Sequence, residues 1–282
     1  MAEFAIKVDY QPNETDPVKL FQGISTLVQS FKDIDTVLAN NIPIDIEPQI
    51  VLEDIEQGSI LVKLAADFLD KKVPDESLNS LDWKPLLGQF LVQAKYAIIN
   101  YSNEKEAGKS KKSIASLTDS VQKEYEKYPE LAEKIGMKKI SNFEAIKALN
   151  AISTANEYFS KDNKVEYITK ESKANFNLDF KVDYESLEDL MIDKTLRSES
   201  RVILKVKRPD FIGESKWDFK HGKSAISAKI CDEDWLKKFK NREIPILPND
   251  SMEVTIESIS SYDSQGELIK QQFNILIVHE VK

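Results

Sequence analysis

Pro209-Asp210 and Glu214-Ser215-Lys216 carry the residue types most able to do chemistry: two carboxylates and a lysine within a short stretch. In metal-dependent nucleases such a set holds a divalent ion and stabilises the attacking water or the leaving charge. That chemistry needs the proline–aspartate pair and the glutamate–lysine pair on neighbouring strands, roughly ten or more residues apart, so that both carboxylates meet one ion. Here only Phe211, Ile212 and Gly213 intervene, which places both elements in a single turn. The spacing therefore argues against a nuclease centre.

Two Gly-Lys-Ser triplets, at Gly108-Lys109-Ser110 and Gly222-Lys223-Ser224, raise phosphate binding. A phosphate loop needs another glycine five positions before the triplet. Asn103 and Trp217 stand there instead. No Gly-x-Ser-x-Gly elbow is present for serine hydrolysis. His221 precedes Gly222 in an expected hairpin turn, and His279 sits in an apolar strand; neither has the surroundings of a base. Cys231 is followed by Asp232, Glu233 and Asp234, whose charge opposes thiolate formation, so it reads as buried or inert. Glu53, Asp54 and Glu56 lack the spacing of a calcium loop. No catalytic, cofactor-binding or metal-ligating residue is assigned, no cofactor is expected, and an enzyme is the less favoured class.

The surrounding pattern is that of an α+β protein. Alternation from Phe4 to Tyr10 predicts a strand. Asp16-Pro17 starts a helix whose apolar stripe runs from Leu20 to Leu38 and which ends before Pro43. Ile46, Ile50 and Leu52, then Ile60, Val62 and Leu64 beyond Gln57-Gly58-Ser59, predict a hairpin. A second helix is expected from Trp83 to Tyr101, then an exposed loop over 102–113, then helical patterns from Ile114, interrupted by Pro129. Ser141 with Glu144 has the spacing of a capping box. Val165–Ile168 and Phe176–Val182 read as short strands, and Tyr184–Ile192 as a short helix. From Val202 onward, short alternating runs around a helix at Trp235, Leu236 and Phe239 suggest an antiparallel sheet or a small barrel. The expected domains are an α+β domain over 1–110, a mostly helical segment over 111–199 and a β-rich domain over 200–282.

Charge is unevenly spread about a net value of −9. Residues 1–70 are strongly acidic, whereas 201–242 carry twelve bases against six acids. Lys205, Lys207, Arg208, Lys237, Lys238, Lys240 and Arg242 are the candidate contacts for an anion or a nucleic acid. Trp217, Phe219, Trp235 and Phe239 interleave with them, at a spacing better suited to packing than to base stacking. Cys231 is the only cysteine, no opening segment resembles a signal peptide, and no apolar run reaches the roughly 20 residues of a membrane span. A cytoplasmic protein without membrane contact is expected.

The stretch Trp217–Leu236, continuing through Arg242-Glu243-Ile244, resembles the C-terminal region of a group of uncharacterised bacterial proteins. Leu52-Glu53-Asp54-Ile55-Glu56-Gln57-Gly58-Ser59-Ile60 resembles part of their N-terminal region. The resemblance implies a bacterial cytoplasmic protein and names no active site. The reading that follows is a non-catalytic interaction or self-assembling subunit, with a protein partner or a second copy as its ligand. The alternative is a nucleic-acid-binding or sensing component of a bacterial defence system, acting through the basic C-terminal β-domain.

Overall fold

In β1 (Ala2–Asp9), Ala2, Phe4, Ile6 and Val8 turn to one side and are buried, while Glu3 faces outward. The computed structural model describes residues 2–11, 16–56, 60–72, 82–211, 215–247 and 250–282, the side chains of 55, 56 and 69–72 excepted. Within these the chain forms two compact units, Met1–Leu190 and Met191–Lys282. Of the segment expected over 111–199, residues 111–190 belong to the first and 191–199 to the second.

In the first unit β1 is the central strand of a five-stranded antiparallel sheet. Its neighbours are β3 (Ile60–Lys72) and β4 (Lys164–Thr169); β2 (Asp45–Glu56) and β5 (Lys173–Asn175) form the edges. The turn expected at Gln57-Gly58-Ser59 lies outside the described residues. Helix α1 (Pro17–Asn40) begins where expected: Asp16 accepts from the Val18 N–H at 2.9 Å, and Pro17 takes the first position, where a missing donor costs nothing. Its buried stripe of Leu20, Leu27, Phe31, Ile34 and Leu38 covers the sheet, with the Phe31 ring edge-on to Phe4 and Tyr167. Helix α2 (Trp83–Ser102) lies beside it against β1, β3 and β5.

Helices α3 (Lys111–Glu126), α4 (Pro129–Lys134) and α5 (Asn142–Asn156) complete this layer. Pro129 opens α4 at its first position, where proline is tolerated. The capping box at Ser141 and Glu144 is formed in both directions. The expected strand over 176–182 is absent. Phe176 and Phe180 are both buried, but their backbone is held by the side chains of α5: Asn156 donates to the Asn177 carbonyl at 2.9 Å, and the Ser153 hydroxyl accepts from the Val182 N–H at 3.0 Å. A short helix, α6 (Tyr184–Met191), follows.

The second unit is a closed barrel of β6 (Lys194–Arg208), β7 (Trp217–His221), β8 (Ser224–Ile230), β9 (Ser251–Tyr262) and β10 (Leu268–Val281). β6, β7 and β8 form a meander, α7 (Glu233–Lys240) crosses over, and the β9–β10 hairpin closes the wall between β6 and β8. The sheet is mixed and not purely antiparallel, because β8 and β10 pair in parallel through 228–230 and 273–275. Leu204, Val206, Trp217, Phe219, Ala228, Ile230, Met252, Val254, Ile256 and Ile275 fill the interior, capped by Trp235 and Phe239 of α7. The interleaved aromatics are thus packing residues. β6 starts eight residues before its alternation does, since Lys194–Arg201 is exposed on both faces and leaves no apolar period to read.

Candidate functional site

Alternation that turns Leu204, Val206, Trp217, Phe219, Ala228 and Ile230 inward turns their neighbours out, onto the surface of β6, β7 and β8. Strand register sets the rows of that surface. Lys205 stands opposite Lys220, Arg208 opposite Asp218 and Asp218 opposite Ser227, while Lys229 stands beside Asn274 of β10. Among the described residues Asp218 is the carboxylate that stands between Arg208 and Ser227 in these rows; Glu199 lies further back on β6. Asp218 accepts from Ser227 Oγ at 2.6 Å and pairs with Arg208 at 2.8 Å. The Ser227 hydrogen bond, helped by the charges of Arg208 and Lys207, holds its carboxyl below the ordinary range. Lys205, Lys207, Lys220 and Lys229 are all exposed around it.

The β9–β10 side of the barrel has the opposite character. There Arg197 pairs with Glu257 at 3.0 Å, Arg201 with Glu253 at 2.7 Å, and Lys282 with both Glu253 and Glu280. Hydrogen bonds from Arg201 to Glu253, and from Asn274 and Arg197 to Glu257, hold both carboxyls low. Cations on this side are matched by acids, whereas among the described residues at the β7 end of the β6–β7–β8 side lysines outnumber the acids, Asp218 within the rows and Glu233 beside Lys229. That asymmetry makes the latter an anion-attracting surface.

The seven basic residues singled out from the sequence divide into three places. Lys205, Lys207 and Arg208 lie on this face. Lys237 and Lys238 point to solvent from α7, Lys237 beside Asp234 at 3.7 Å. Lys240 and Arg242 line a separate cleft of about 430 Å³ at the end of α7, with Phe211, Phe239, Ile244, Pro245 and Ile246. Sequence reasoning left Lys220, Lys229 and Phe211 out of the site. The first two were visible as the polar half of an alternating hairpin; Phe211 carried no signal beyond its type.

The nuclease elements are only partly described. Asp210 is engaged within its own loop, its Oδ2 accepting from the Ser215 N–H at 2.9 Å and from Ser215 Oγ at 2.6 Å. Glu214 lies outside the described residues. Among the described residues no three His, Cys, Asp or Glu side chains are grouped to hold a metal. The Gly-Lys-Ser triplets are structural: Ser110 caps α3, accepting from the Ser113 N–H at 3.1 Å, and Gly222 supplies the left-handed turn between β7 and β8. His221 is exposed beside that turn; His279 lies in β10, 2.8 Å from the Thr255 hydroxyl. Cys231 is exposed, contrary to a buried reading, because β8 has ended and Ile230 takes the inward position before it. Glu53 and Asp54 are exposed on β2, with Asp54 3.7 Å from Lys63; the Glu56 side chain lies outside the description. None of the described helices is long and apolar enough to cross a membrane.

No family profile, curated protein or solved structure matches this chain.

Proposed function

We propose that the protein binds single-stranded nucleic acid on the β6–β7–β8 face of its barrel. A closed five-stranded barrel with a helix between its third and fourth strands has the layout of oligonucleotide- and oligosaccharide-binding barrels, which use the face of the second and third strands. Here those strands are β7 and β8. The observation that carries the reading is the one-sided charge: among the described residues Lys205, Lys207, Lys220 and Lys229 outnumber Asp218, already paired with Arg208, and Glu233, which lies beside Lys229. A chain of phosphates satisfies such a surface, whereas a neutral sugar does not.

The test is anisotropy of a fluorescently labelled single-stranded oligonucleotide across a salt series. Four lysine–phosphate contacts give a slope near −0.7 × 4, or about −2.8, in log affinity against log salt, so binding weakens about 50-fold between 50 and 200 mM. Charge reversal of Lys205, Lys220 and Lys229 together lowers affinity at ~50 mM salt by more than about tenfold. Absence of binding at low salt, or full affinity in the triple variant, refutes the reading.

A second reading, a partner-binding or self-assembling subunit, draws on β2. Among the described residues this strand pairs with β3 alone, and it carries exposed Val51 and Leu52 among Glu47, Glu53 and Asp54. An open acidic edge can accept a basic strand from another chain. Light scattering over the same salt series distinguishes the two: salt-sensitive growth in mass supports assembly, and a constant monomer mass opposes it.

A further inference from the structure

Resting on that reading, we propose that the cleft lined by Phe211, Phe239, Lys240 and Arg242 is a pocket for one unstacked nucleobase and its phosphate. Phe211 lies three residues beyond the end of β6 and is 65% exposed. Its ring lies against the buried Phe239 ring, centroids 5.6 Å apart and planes 29° from parallel. Phe239 in turn packs on Trp217 at 4.9 Å, the first residue of β7, so the aromatic floor is anchored in the barrel core. Asp210, next to Phe211, accepts from the Ser215 N–H and hydroxyl. The result is an exposed aromatic surface on a fixed mount, which is what base stacking requires.

Arg242 is the second part of the pocket. It ends α7 with φ of +64°, its N–H donating to the Phe239 carbonyl and that of Glu243 to the Lys238 carbonyl, both at 2.9 Å. This is the helix-ending position that glycine ordinarily occupies, because a side chain there is crowded. Every other left-handed residue among those described is a glycine: Gly108, Gly136, Gly222 and Gly266. The exception carries a guanidinium to the wall of a cleft that holds Lys240 and, among the described residues, no carboxylate. Strain of this kind, retained where glycine would relieve it, is found where a side chain serves a ligand. A cleft of about 430 Å³ is in the size range of small-ligand sites. An aromatic floor with two cations and no acid among the described residues suits a ligand that is itself flat and anionic, and a nucleotide is both.

The experiment is an NMR titration of the full chain with adenosine 5′-monophosphate, adenosine and inorganic phosphate, alongside oligonucleotide anisotropy. The expected result is that the monophosphate shifts the amide signals of Phe211 and of 240–246, with adenosine or phosphate alone binding more than tenfold more weakly. Phe211→Ala and Arg242→Gly each weaken monophosphate binding more than tenfold, while Arg242→Gly raises the thermal midpoint. That rise removes misfolding as an explanation for the loss. Reversal of Lys205, Lys220 and Lys229 leaves monophosphate binding within about twofold, which separates this pocket from the strand-binding face. Oligonucleotide binding that is full in both cleft variants, with no monophosphate shifts at 240–246, overturns the pocket and leaves the face standing. Monophosphate binding without oligonucleotide binding keeps the pocket and removes the face.

Discussion

Replacing Asp35 and Lys95, first singly and then together, probes the least expected feature of the N-terminal unit. Asp35 of α1 and Lys95 of α2 form an ion pair in which both side chains are 0% exposed. The ammonium lies 5.3 Å from the centre of the Phe4 ring, and the second oxygen of Asp35 has no hydrogen-bond partner. Burial raises the Asp35 pKa above its ordinary 3.8 and lowers that of Lys95 below its ordinary 10.5, each partner opposing only part of the effect. The signs follow from linkage. A raised carboxyl contributes stability that is complete below about 3.8 and is lost as pH rises through its folded value. A lowered amine contributes stability that is present above about 10.5 and is lost as pH falls through its folded value. Near neutrality the charged pair is therefore a net cost relative to an apolar pair. Asp35→Asn or Lys95→Met leaves the other charge buried and alone, at about 3–5 kcal/mol. Asp35→Leu with Lys95→Met removes both charges and changes stability by about zero, or raises it by 1–4 kcal/mol. Urea unfolding followed by circular dichroism at 222 nm reads this unit, which holds nearly all the helix. A single variant losing under about 1 kcal/mol, or a double variant losing the sum of both, refutes the reasoning.

Two further outcomes are expected. Gly23→Ala places a methyl group 2.8 Å from the Phe159 ring, closer than packing allows, so it destabilises by about 1–2 kcal/mol despite alanine's better helix propensity; adding Phe159→Leu recovers most of the loss in the same urea assay. Burial pushes the Tyr125 hydroxyl up to about 12 and that of Tyr167 well above the ordinary 10.0. Stability held below pH 10 is then lost as pH rises through these values, and absorbance at 295 nm should show Tyr125 still mostly un-ionised at pH 11.

Elements with a one-sided apolar period were legible in the sequence: the stripe of α1, the alternation of β1, the capping box at Ser141, and the inward residues of β7 and β8. Three kinds of feature were not. β6 extends back to Lys194 with both faces wet, so hydrophobic period could not report it. Phe176 and Phe180 are buried four residues apart in an irregular segment satisfied by Asn156 and Ser153 from another element, and their spacing imitates a strand. The anion-attracting face depends on which bases share a side with acids. Arg197 and Arg201 were as basic as Lys205 in the sequence, yet the register of β9 matches them to Glu257 and Glu253. Linear charge counts cannot make that distinction, because pairing across strands is a property of closure. Arg242 was selected for its charge alone; its left-handed backbone, which sets it apart from the other bases, is set by the end of α7.

The parallel seam between β8 and β10 determines how the barrel comes together. β6 must find β9 across some 46 to 68 residues, from Lys205↔Ser251 to Lys194↔Tyr262, and β8 must wait for a strand that arrives only after the β9–β10 hairpin has turned. No adjacent pair can enclose Trp217 and Trp235 by itself, so the interior stays open to water until the last seam forms. Assembly of this unit is consequently a slow, nonlocal search.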